Sequence, residues 1–348
     1  MTAALTAETA TALPARPASR KALALLAATA VLVLVVLASL ALGARDVTLG
    51  QVVAAFLDRV PGDNDHDVVR DQRLPRTVVG LVVGAALGLA GTIMQGITRN
   101  PLADPGLLGV NAGASLFVVL AITVLGLTSP ATYIWFALAG AALAAGVVYG
   151  VGALGREGAT PVKLALAGTA LTAGATSVIT LVLITETDTL NSYRRWAVGS
   201  LAGRGADALV PLAPFLAVGA VLALATGRTL NLLALGDDLA RGLGQHVHVV
   251  RVLAGLAIVL LAGSATALAG PIVFVGLVVP HLVRPFTGPD YRWILPFAVV
   301  LGPVVLLGAD VVGRLVVRPG ELEAGLVVAV VGAPALIAIV RRVKLAGL

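Results

Sequence analysis

The stretch RLPRTVVGLVVGAALGLAGTIMQGITRNPLADPGLLGVNAGAS, residues 73–115, decides the class of fold. Its residues 75–97 form an apolar run as long as the roughly 20 residues that a helix needs to cross ~30 Å of hydrocarbon. Two prolines and a glycine in 101–106 cannot continue that helix, so we expect a rigid turn before a second apolar run begins at Leu107. A crossing helix, a turn and another crossing helix indicate a protein that spans the membrane several times.

The composition of the whole chain agrees with this interpretation. The 348 residues are 58% hydrophobic and only 12% charged, with a mean hydropathy of +1.00, whereas about a quarter of a soluble domain is charged. The formal charge of +6 does not indicate nucleic-acid binding, because Arg and Lys stand between apolar blocks rather than on one basic face. The absence of Cys excludes disulfides, thiol catalysis and Cys-ligated metals.

The apolar runs predict an all-α polytopic membrane protein with about ten transmembrane helices. The predicted spans are 22–44, 75–97, 107–127, 132–154, 161–185, 208–226, 250–269, 271–287, 293–314 and 324–340. The boundary between the seventh and eighth spans depends on Gly270-Pro271, which divides one continuous apolar run. A cleaved signal peptide is the alternative for the first run, but that run is longer than the roughly 7–15 apolar residues of such peptides.

The charges between the spans predict the orientation. An even number of spans puts both termini on one side, and a cytoplasmic location leaves fourteen Arg and Lys inside against ten outside, in the direction of the positive-inside rule. We therefore expect cytoplasmic tails at 1–21 and 343–348. The outer loops hold most of the acidic residues, which form either an ordinary solvated surface or a docking face for a soluble partner.

Glycines in the second span predict close helix packing. Gly80, Gly84 and Gly88 recur every four residues and share one helix face. Helices in lipid associate through close van der Waals contact, which glycine permits. We expect a helix–helix seam here, within one chain or between two copies.

Four polar residues lie near membrane depth, where polar groups are functional candidates. Gln95 either has such a role or bonds a neighbouring backbone group, and the second interpretation is favoured. His281 follows Pro280 and could satisfy a carbonyl that the proline frees. Asp310 and Arg314 are spaced for an i, i+4 ion pair, although Arg314 could instead face an acidic partner.

The loop over 229–248 contains a pattern of two short helices. A leucine-rich turn ends at Gly236, Asp237 can cap a second helix, and Asp238 lies near the positive N-terminus of that helix. Arg241 stands toward its far end. Helices this short are marginal in water, so they either pack on this chain's own helix ends or fit a groove on another subunit.

Several chemistries lack their motifs. The sequence contains no Gly-x4-Gly-Lys-Ser/Thr phosphate loop, no His-Glu-x-x-His helix and no obvious chain of intramembrane carboxylates. We therefore expect no catalytic residues, no metal site and no cofactor. If a solute moves through this protein, the energy comes from elsewhere.

Four blocks in family order make the sequence recognisable. Residues 73–115, LALGDDLARGLG (233–244), GPIVFVGLVVPHLVR (270–284) and GADVVGRLVVRPGELEAGLVVAVVGAP (308–334) resemble the FecCD family of ABC-importer permeases. The resemblance extends over about 20–342 and implies a single permease domain at 22–342 with the type II ABC importer fold. It also implies a multi-pass location in the bacterial cytoplasmic membrane.

The resemblance implies a set of partners. A family permease pairs with a second copy or a sister permease, is driven by ABC ATPase subunits and receives cargo from an extracytoplasmic binding protein. Family cargoes are iron–siderophores, haem and cobalamin. TRNPLADPGLLGVNAGA (98–114) resembles the ferric enterobactin and hydroxamate permeases, so a ferric siderophore is favoured over haem or cobalamin.

The resemblance also implies roles for individual residues. The coupling helices at about 230–246 would fit the ATPase through Leu235, Gly236, Asp237, Asp238, Ala240, Arg241 and Gly244. Exposed arginines on the outer face would receive carboxylates of the binding protein; these are Arg73, Arg76 and Arg314. The family's inner gate corresponds to Thr160, Pro161 and Val162, which differ from the hydroxyl-rich run of the cobalamin importer.

Two other classes of transporter are alternatives. An ion-coupled secondary transporter should show paired intramembrane charges or broken-helix ion sites. A zinc or manganese permease should line its path with His or carboxylates, whereas this chain has four His, two of them at 246 and 248 in the cytoplasmic loop.

Overall fold

The computed structural model describes residues 17–43, 45, 47–154 and 160–346, and all regular structure in this part of the chain is helical. The α-helices are α1 Ala18–Ala41, α2 Leu49–Leu57, α3 Asn64–Asp67, α4 Leu74–Thr98, α5 Val110–Leu125, α6 Pro130–Gly152, α7 Pro161–Thr185, α8 Thr187–Ala197, α9 Ala206–Ala225, α10 Gly227–Leu233, α11 Asp237–Gly242, α12 Val247–Ala269, α13 Val275–Thr287, α14 Tyr291–Val316 and α15 Ala324–Ala346. A π-helical turn, Val68–Arg73, precedes α4, and a 3₁₀ turn, Pro105–Leu108, precedes α5.

Each predicted span coincides with one helix, which confirms the all-α polytopic prediction. Those helices are α1, α4, α5, α6, α7, α9, α12, α13, α14 and α15. Seven of the described helices are long and apolar enough to cross a membrane, while Val110–Leu125 and Ala324–Ala338 are shorter apolar helices. With 13 residues, α13 is about 20 Å long and does not cross the hydrocarbon by itself.

The predicted start of the eighth span at 271 is wrong. Residues 270–274 are not helical, and α13 begins at Val275. Gly270 has a φ of +81°, and a Cβ added there would lie 2.1 Å from the Trp196 carbonyl oxygen. The chain therefore passes against a neighbouring backbone before it can turn into a helix, which the apolar run does not reveal.

Helix α4 forms the centre of the bundle, with nearly every residue from Val83 onward buried. It packs on α14, α12 and α13. The face that carries Gly80, Gly84 and Gly88 lies on α14 of the same chain, and a Cβ added at Gly84 would lie 2.6 Å from the Cα of Pro303. This seam is intramolecular and brings the start of α4 and the end of α14 together.

Two of the polar side chains at membrane depth, Gln95 and His281, contact the same backbone carbonyl. Gln95 Nε2 donates to the Leu277 oxygen at 3.3 Å, and His281 Nδ1 lies 2.9 Å from that oxygen. The backbone interpretation of Gln95 is confirmed. The carbonyl that Pro280 leaves without an amide donor is that of Gly276, so the ring of His281 bonds one residue further along than expected.

Candidate functional site

We call α10, α11 and the turn between them, residues 227–244, the inner coupling segment, after the side and the role that the sequence predicts for it. Leu230 and Leu233 are 0% and 2% exposed, and Ala240 is fully buried, so one face packs on this chain's own α14 and α4. Gly236, with a φ of +107°, is the N-cap of α11 and makes no side-chain cap. The expected cap by Asp237 is therefore wrong, because Asp237 is already the first helical residue.

The Asp237 carboxylate instead anchors the segment. It forms ion pairs with Arg99, with Arg251 at 3.0 Å and with Arg241 at 3.9 Å. Arg99 follows the inner end of α4 with a φ of +51°, and Arg251 lies in the first turns of α12. The short helix α11 is thereby tied to two long helices, which supplies the support that its length requires.

A second contact holds α10 against the start of α14. Asn231 Nδ2 donates to Asp290 at 2.7 Å, and its amide oxygen accepts from the Tyr291 backbone N–H at 2.9 Å. Hydrogen bonds from Arg292, with a smaller contribution from Asn231, lower the pKa of Asp290 to about 2. The Asp290 carboxylate is thus ionised at neutral pH, and we call its contact with Asn231, which joins α10 to α14, the clamp.

The opposite face of the segment is apolar and uncovered. Leu235, Leu239 and Leu243 are 57%, 62% and 59% exposed; Leu239 lies in α11, while Leu235 and Leu243 flank the two ends of that helix. The interpretation that the short helices pack on this chain's own helix ends is confirmed for one face, and the fit to a groove on another subunit stays a prediction. One face packs on this chain, and the other leaves three leucines exposed beyond the membrane helices.

We call Arg73, Arg76, Asp310, Arg314 and Glu321 the outer arginine cluster, after the side of the membrane that the sequence predicts for it. Arg76 donates to Asp310 from Nε and Nη2 at 3.0 and 2.8 Å and pairs with Glu321 at 2.6 Å. Arg314 pairs with Asp310 at 3.1 Å, which confirms the predicted i, i+4 ion pair. The expectation that these arginines are exposed is wrong, since Arg73, Arg76 and Arg314 are 5%, 8% and 2% exposed.

Two arginines of this cluster bind the carboxyl end of α1. Arg73 Nη1 donates to the carbonyls of Leu40 and Ala41 at 2.8 and 2.6 Å, and Arg314 Nη1 donates to those of Ser39 and Leu42 at 3.0 and 2.9 Å. The last carbonyls of a helix need such donors. The last turn of α1 contains no basic residue of its own, and this feature of the sequence could have indicated that cations from elsewhere in the chain bind these carbonyls.

A cavity of about 610 Å³ opens beside this cluster at the outer end of the bundle. Its lining contains more basic than acidic residues: Arg45, Arg73, Arg76, Arg204 and Arg314 against Asp71, Asp207 and Glu321. Sequence reasoning missed Arg204, which stands between two glycines in the turn from α8 to α9 and is only 8% exposed.

The expected inner gate lies at the start of α7. Thr160 is the N-cap and accepts a hydrogen bond from the Lys163 backbone N–H at 3.4 Å. Pro161 is the first helical residue, and Val162 is 68% exposed. The neighbouring Ala159 lies outside the described residues. Within those residues, no group of three or more His, Asp or Glu is arranged to hold a metal ion.

Comparison with known proteins decides the family, because the model of the FecCD transport family matches residues 31–342. The chain belongs to the FecCD transport family. FecCD permeases are the transmembrane subunits of ABC importers, in which a separate partner subunit hydrolyses ATP. This FecCD permease is accordingly a multi-pass protein of the bacterial inner membrane.

Individual relatives cover most of this permease. It is 41% identical over 94% of its length to the "Probable siderophore transport system permease protein YfiZ" of Bacillus subtilis, of which 98% is covered. It is 45% identical over 87% of its length to the ferric enterobactin permease FepD of Escherichia coli, of which 90% is covered. A solved metal-chelate type ABC transporter in an inward-facing conformation matches with a TM-score of 0.79 at 26% identity, covering 92% of this chain and 99% of the other.

Proposed function

We propose that this permease carries ferric siderophores from an extracytoplasmic binding protein into the cytoplasm. The observation that carries the proposal is the FecCD match over residues 31–342, together with relatives named for siderophore and enterobactin transport. ABC ATPase subunits drive the movement, and a second copy or a sister permease completes the path. Both termini lie in the cytoplasm.

The inner coupling segment is the surface on which an ATPase subunit docks. Three leucines in and beside a short helix are exposed on a segment that ion pairs hold in place, and such an apolar surface suits a complementary groove. The residues that we assign to coupling are Leu235, Gly236, Asp237, Asp238, Ala240, Arg241 and Gly244. Because Asp237 joins α11 to the ends of α4 and α12, a push on the segment reaches both helices.

The outer cavity is the surface on which the binding protein docks. The excess of arginine around the cavity favours contact with carboxylates of the binding protein. Such charge pairs would fix the orientation of the docked binding protein and raise its rate of association. Arg76 and Arg314 already share Asp310, so we propose that Arg73, Arg76 and Arg314 contribute through the field of the cluster. Thr160, Pro161 and Val162 lie at the opposite end of the path and form the inner gate.

Substitution of one exposed leucine tests the coupling role. We expect Leu239→Asp to abolish co-purification of the ATPase and ATP-driven uptake, because it puts a charge in the middle of this apolar surface, while membrane insertion stays normal. Leu190→Asp is the matched control, since Leu190 is 38% exposed on α8 at the outer end. Uptake by Leu239→Asp equal to that of the unmodified protein would contradict the proposal.

Reconstitution tests cargo and energy source together. We expect proteoliposomes that contain the permease pair, the ATPase and the binding protein to accumulate radiolabelled ferric siderophore only when ATP is present. Accumulation of haem or cobalamin instead would establish the alternative cargo. Uptake by the permease alone, driven by an ion gradient, would establish a secondary transporter.

A further inference from the structure

Arg204 differs from Arg45, Arg76 and Arg314 of the same outer cavity, because each of those three forms an ion pair with a carboxylate. It is 8% exposed, its Nη1 donates to the Tyr133 hydroxyl at 3.3 Å, and its buried Nε has no hydrogen-bond partner. Within the described part of the chain no carboxylate forms an ion pair with it. A buried cation without an ion-pair partner is costly, so the Arg204 guanidinium retains the capacity to bind an anion.

Two cavities meet at Arg204. One is the cavity of about 610 Å³ beside the outer arginine cluster. The other has a volume of about 420 Å³ and a polar lining that includes Tyr133, Ser192, Arg195, Ser200 and Glu323. Both volumes lie in the range of small-molecule sites, about 300–1,000 Å³. Arg204 is thus placed where a compact solute, rather than a flat protein surface, can reach it.

The turn that carries Arg204 is fixed by its neighbours. The Ser200 backbone N–H donates to the Ala269 carbonyl at 2.8 Å, and the Gly325 N–H donates to the Gly199 carbonyl at 2.8 Å. Gly199 has a φ of +73°, and a Cβ there would lie 2.8 Å from the Pro271 oxygen. The turn is therefore held by the end of α12 and the start of α15, and Arg204 needs little ordering before it binds an anion.

We infer that Arg204 binds an anionic group of the iron chelate as the chelate enters the permease from the binding protein. This inference rests on the proposed function and deepens it, because it names the charge class of the cargo. A guanidinium donates charge-assisted hydrogen bonds to carboxylate or catecholate oxygens. The permease should therefore favour anionic ferric catecholates or carboxylates over neutral ferric hydroxamates.

Uptake by the complete importer in proteoliposomes tests the inference, with a ferric tris-catecholate and a neutral ferric trihydroxamate as probes. We expect Arg204→Gln to reduce catecholate uptake about tenfold, the effect of one lost charge-assisted contact, and to leave hydroxamate uptake unchanged. Arg204→Lys should retain part of the catecholate uptake. Arg194→Gln removes the same charge from a neighbouring residue that lines neither cavity, and we expect it to change neither uptake.

Stability separates this role from a structural one. Arg204→Gln removes an unpaired buried charge, so we expect its thermal midpoint in detergent to equal or exceed that of the unmodified protein. A lowered midpoint together with equal losses for both chelates would overturn the inference. Unchanged catecholate uptake in a stable variant would overturn it as well, while the proposed function would stand.

Capture of the binding protein distinguishes the two sources of an anionic group. If Arg204→Gln weakens capture of the unloaded binding protein as much as that of the loaded one, the anion is a carboxylate of the binding protein and the inference is wrong. If the unmodified importer takes up neither chelate, the proposed function fails, and this inference fails with it.

Discussion

The inner coupling segment and the outer arginine cluster both contain ion pairs, but the inner segment also exposes apolar side chains, whereas the central charges of the outer cluster are buried. At the inner end, Leu235, Leu239 and Leu243 are more than half exposed while the Asp237 side chain is 22% exposed. At the outer end, the side chains of Asp310 and Arg314 are 0% and 2% exposed. The inner charges hold an exposed apolar surface in place, whereas the outer charges join α1, α4 and α14 of one chain.

This difference predicts how each end responds to damage. A buried ion pair costs desolvation energy, and removal of one partner leaves an uncompensated buried charge. A half-exposed pair is screened by solvent, so its loss is tolerated. Substitutions at the outer cluster should therefore act on stability, and those at the inner segment should act on coupling.

The largest effect is expected at Asp310. Asp310→Asn removes the negative charge that Arg76 and Arg314 share, so we expect the free energy of unfolding to fall by about 3–5 kcal/mol, measured by thermal unfolding in detergent. Glu321→Gln is the control, since the side chain of Glu321 is 37% exposed and its loss should cost under ~1 kcal/mol. Equal costs for the two variants would remove the distinction between buried and exposed partners.

A smaller effect is expected at Asp237, which sharpens the inner half of the comparison. Asp237→Ala removes the anchor to Arg99 and Arg251, and we expect a local cost of about 1–2 kcal/mol, seen as faster amide hydrogen exchange over 237–244 and reduced coupling of ATP hydrolysis to uptake. Asp238→Ala is the matched control, because the Asp238 side chain is 99% exposed. Faster exchange in both variants would show that position in the helix, not the anchor, matters.

Asp290 of the clamp is also the N-cap of α14, where its carboxylate accepts a hydrogen bond from the Arg292 backbone N–H at 3.0 Å, and such a cap contributes about 1 kcal/mol. Since its pKa is lowered from 3.8 to about 2, its stabilisation is fully present above pH 3.8 and is lost as the pH falls through about 2. We therefore expect the difference in stability between the unmodified protein and Asp290→Asn to be the same at pH 7 and pH 5. A difference that shrinks by pH 5 would contradict the assigned hydrogen bonds.

The smallest effect is expected at Arg59, whose side chain is 43% exposed. It pairs with Asp67 at 3.0 Å and Asp71 at 3.4 Å, which are 40% and 60% exposed. Exposed pairs contribute about 0–1 kcal/mol, so Arg59→Ala should lower the free energy of unfolding by under ~0.5 kcal/mol. The part of the free energy of unfolding that depends on salt through these two ion pairs should be lost in the variant. A loss above ~1 kcal/mol would show that outer pairs matter regardless of burial.

Much of the fold could be predicted from local patterns. The apolar runs located the ten helices at membrane depth, and Gly236 marked the turn between α10 and α11. The short outer helices α2, α3 and α8 were not predicted: α3 and α8 have a mixed composition, and α2 is apolar but only nine residues long, too short to indicate a span. The amphipathic helix α8, for instance, has the buried Trp196 as a contact to the rest of the bundle.

The candidate site was harder to predict, because its partners are far apart in sequence. Arg76 lies 234 residues from Asp310, and Arg314 lies 275 residues from Ser39. Their motif drew attention to the right arginines but gave no information on burial. Arg204 had no recognisable pattern beyond its flanking glycines. Its lack of an ion-pair partner is visible only in the tertiary structure, which shows the carboxylates that pair with other arginines.

The sequence by itself determined that this chain is a bundle of helices in a membrane, because a backbone in hydrocarbon must satisfy its own hydrogen bonds and an apolar run can do so only as a helix. Only the tertiary structure decided which charges are neutralised and which leucines stay exposed. Those outcomes depend on how the helix ends meet, since an ion pair forms or fails over a few ångströms between residues that the sequence separates by hundreds of positions.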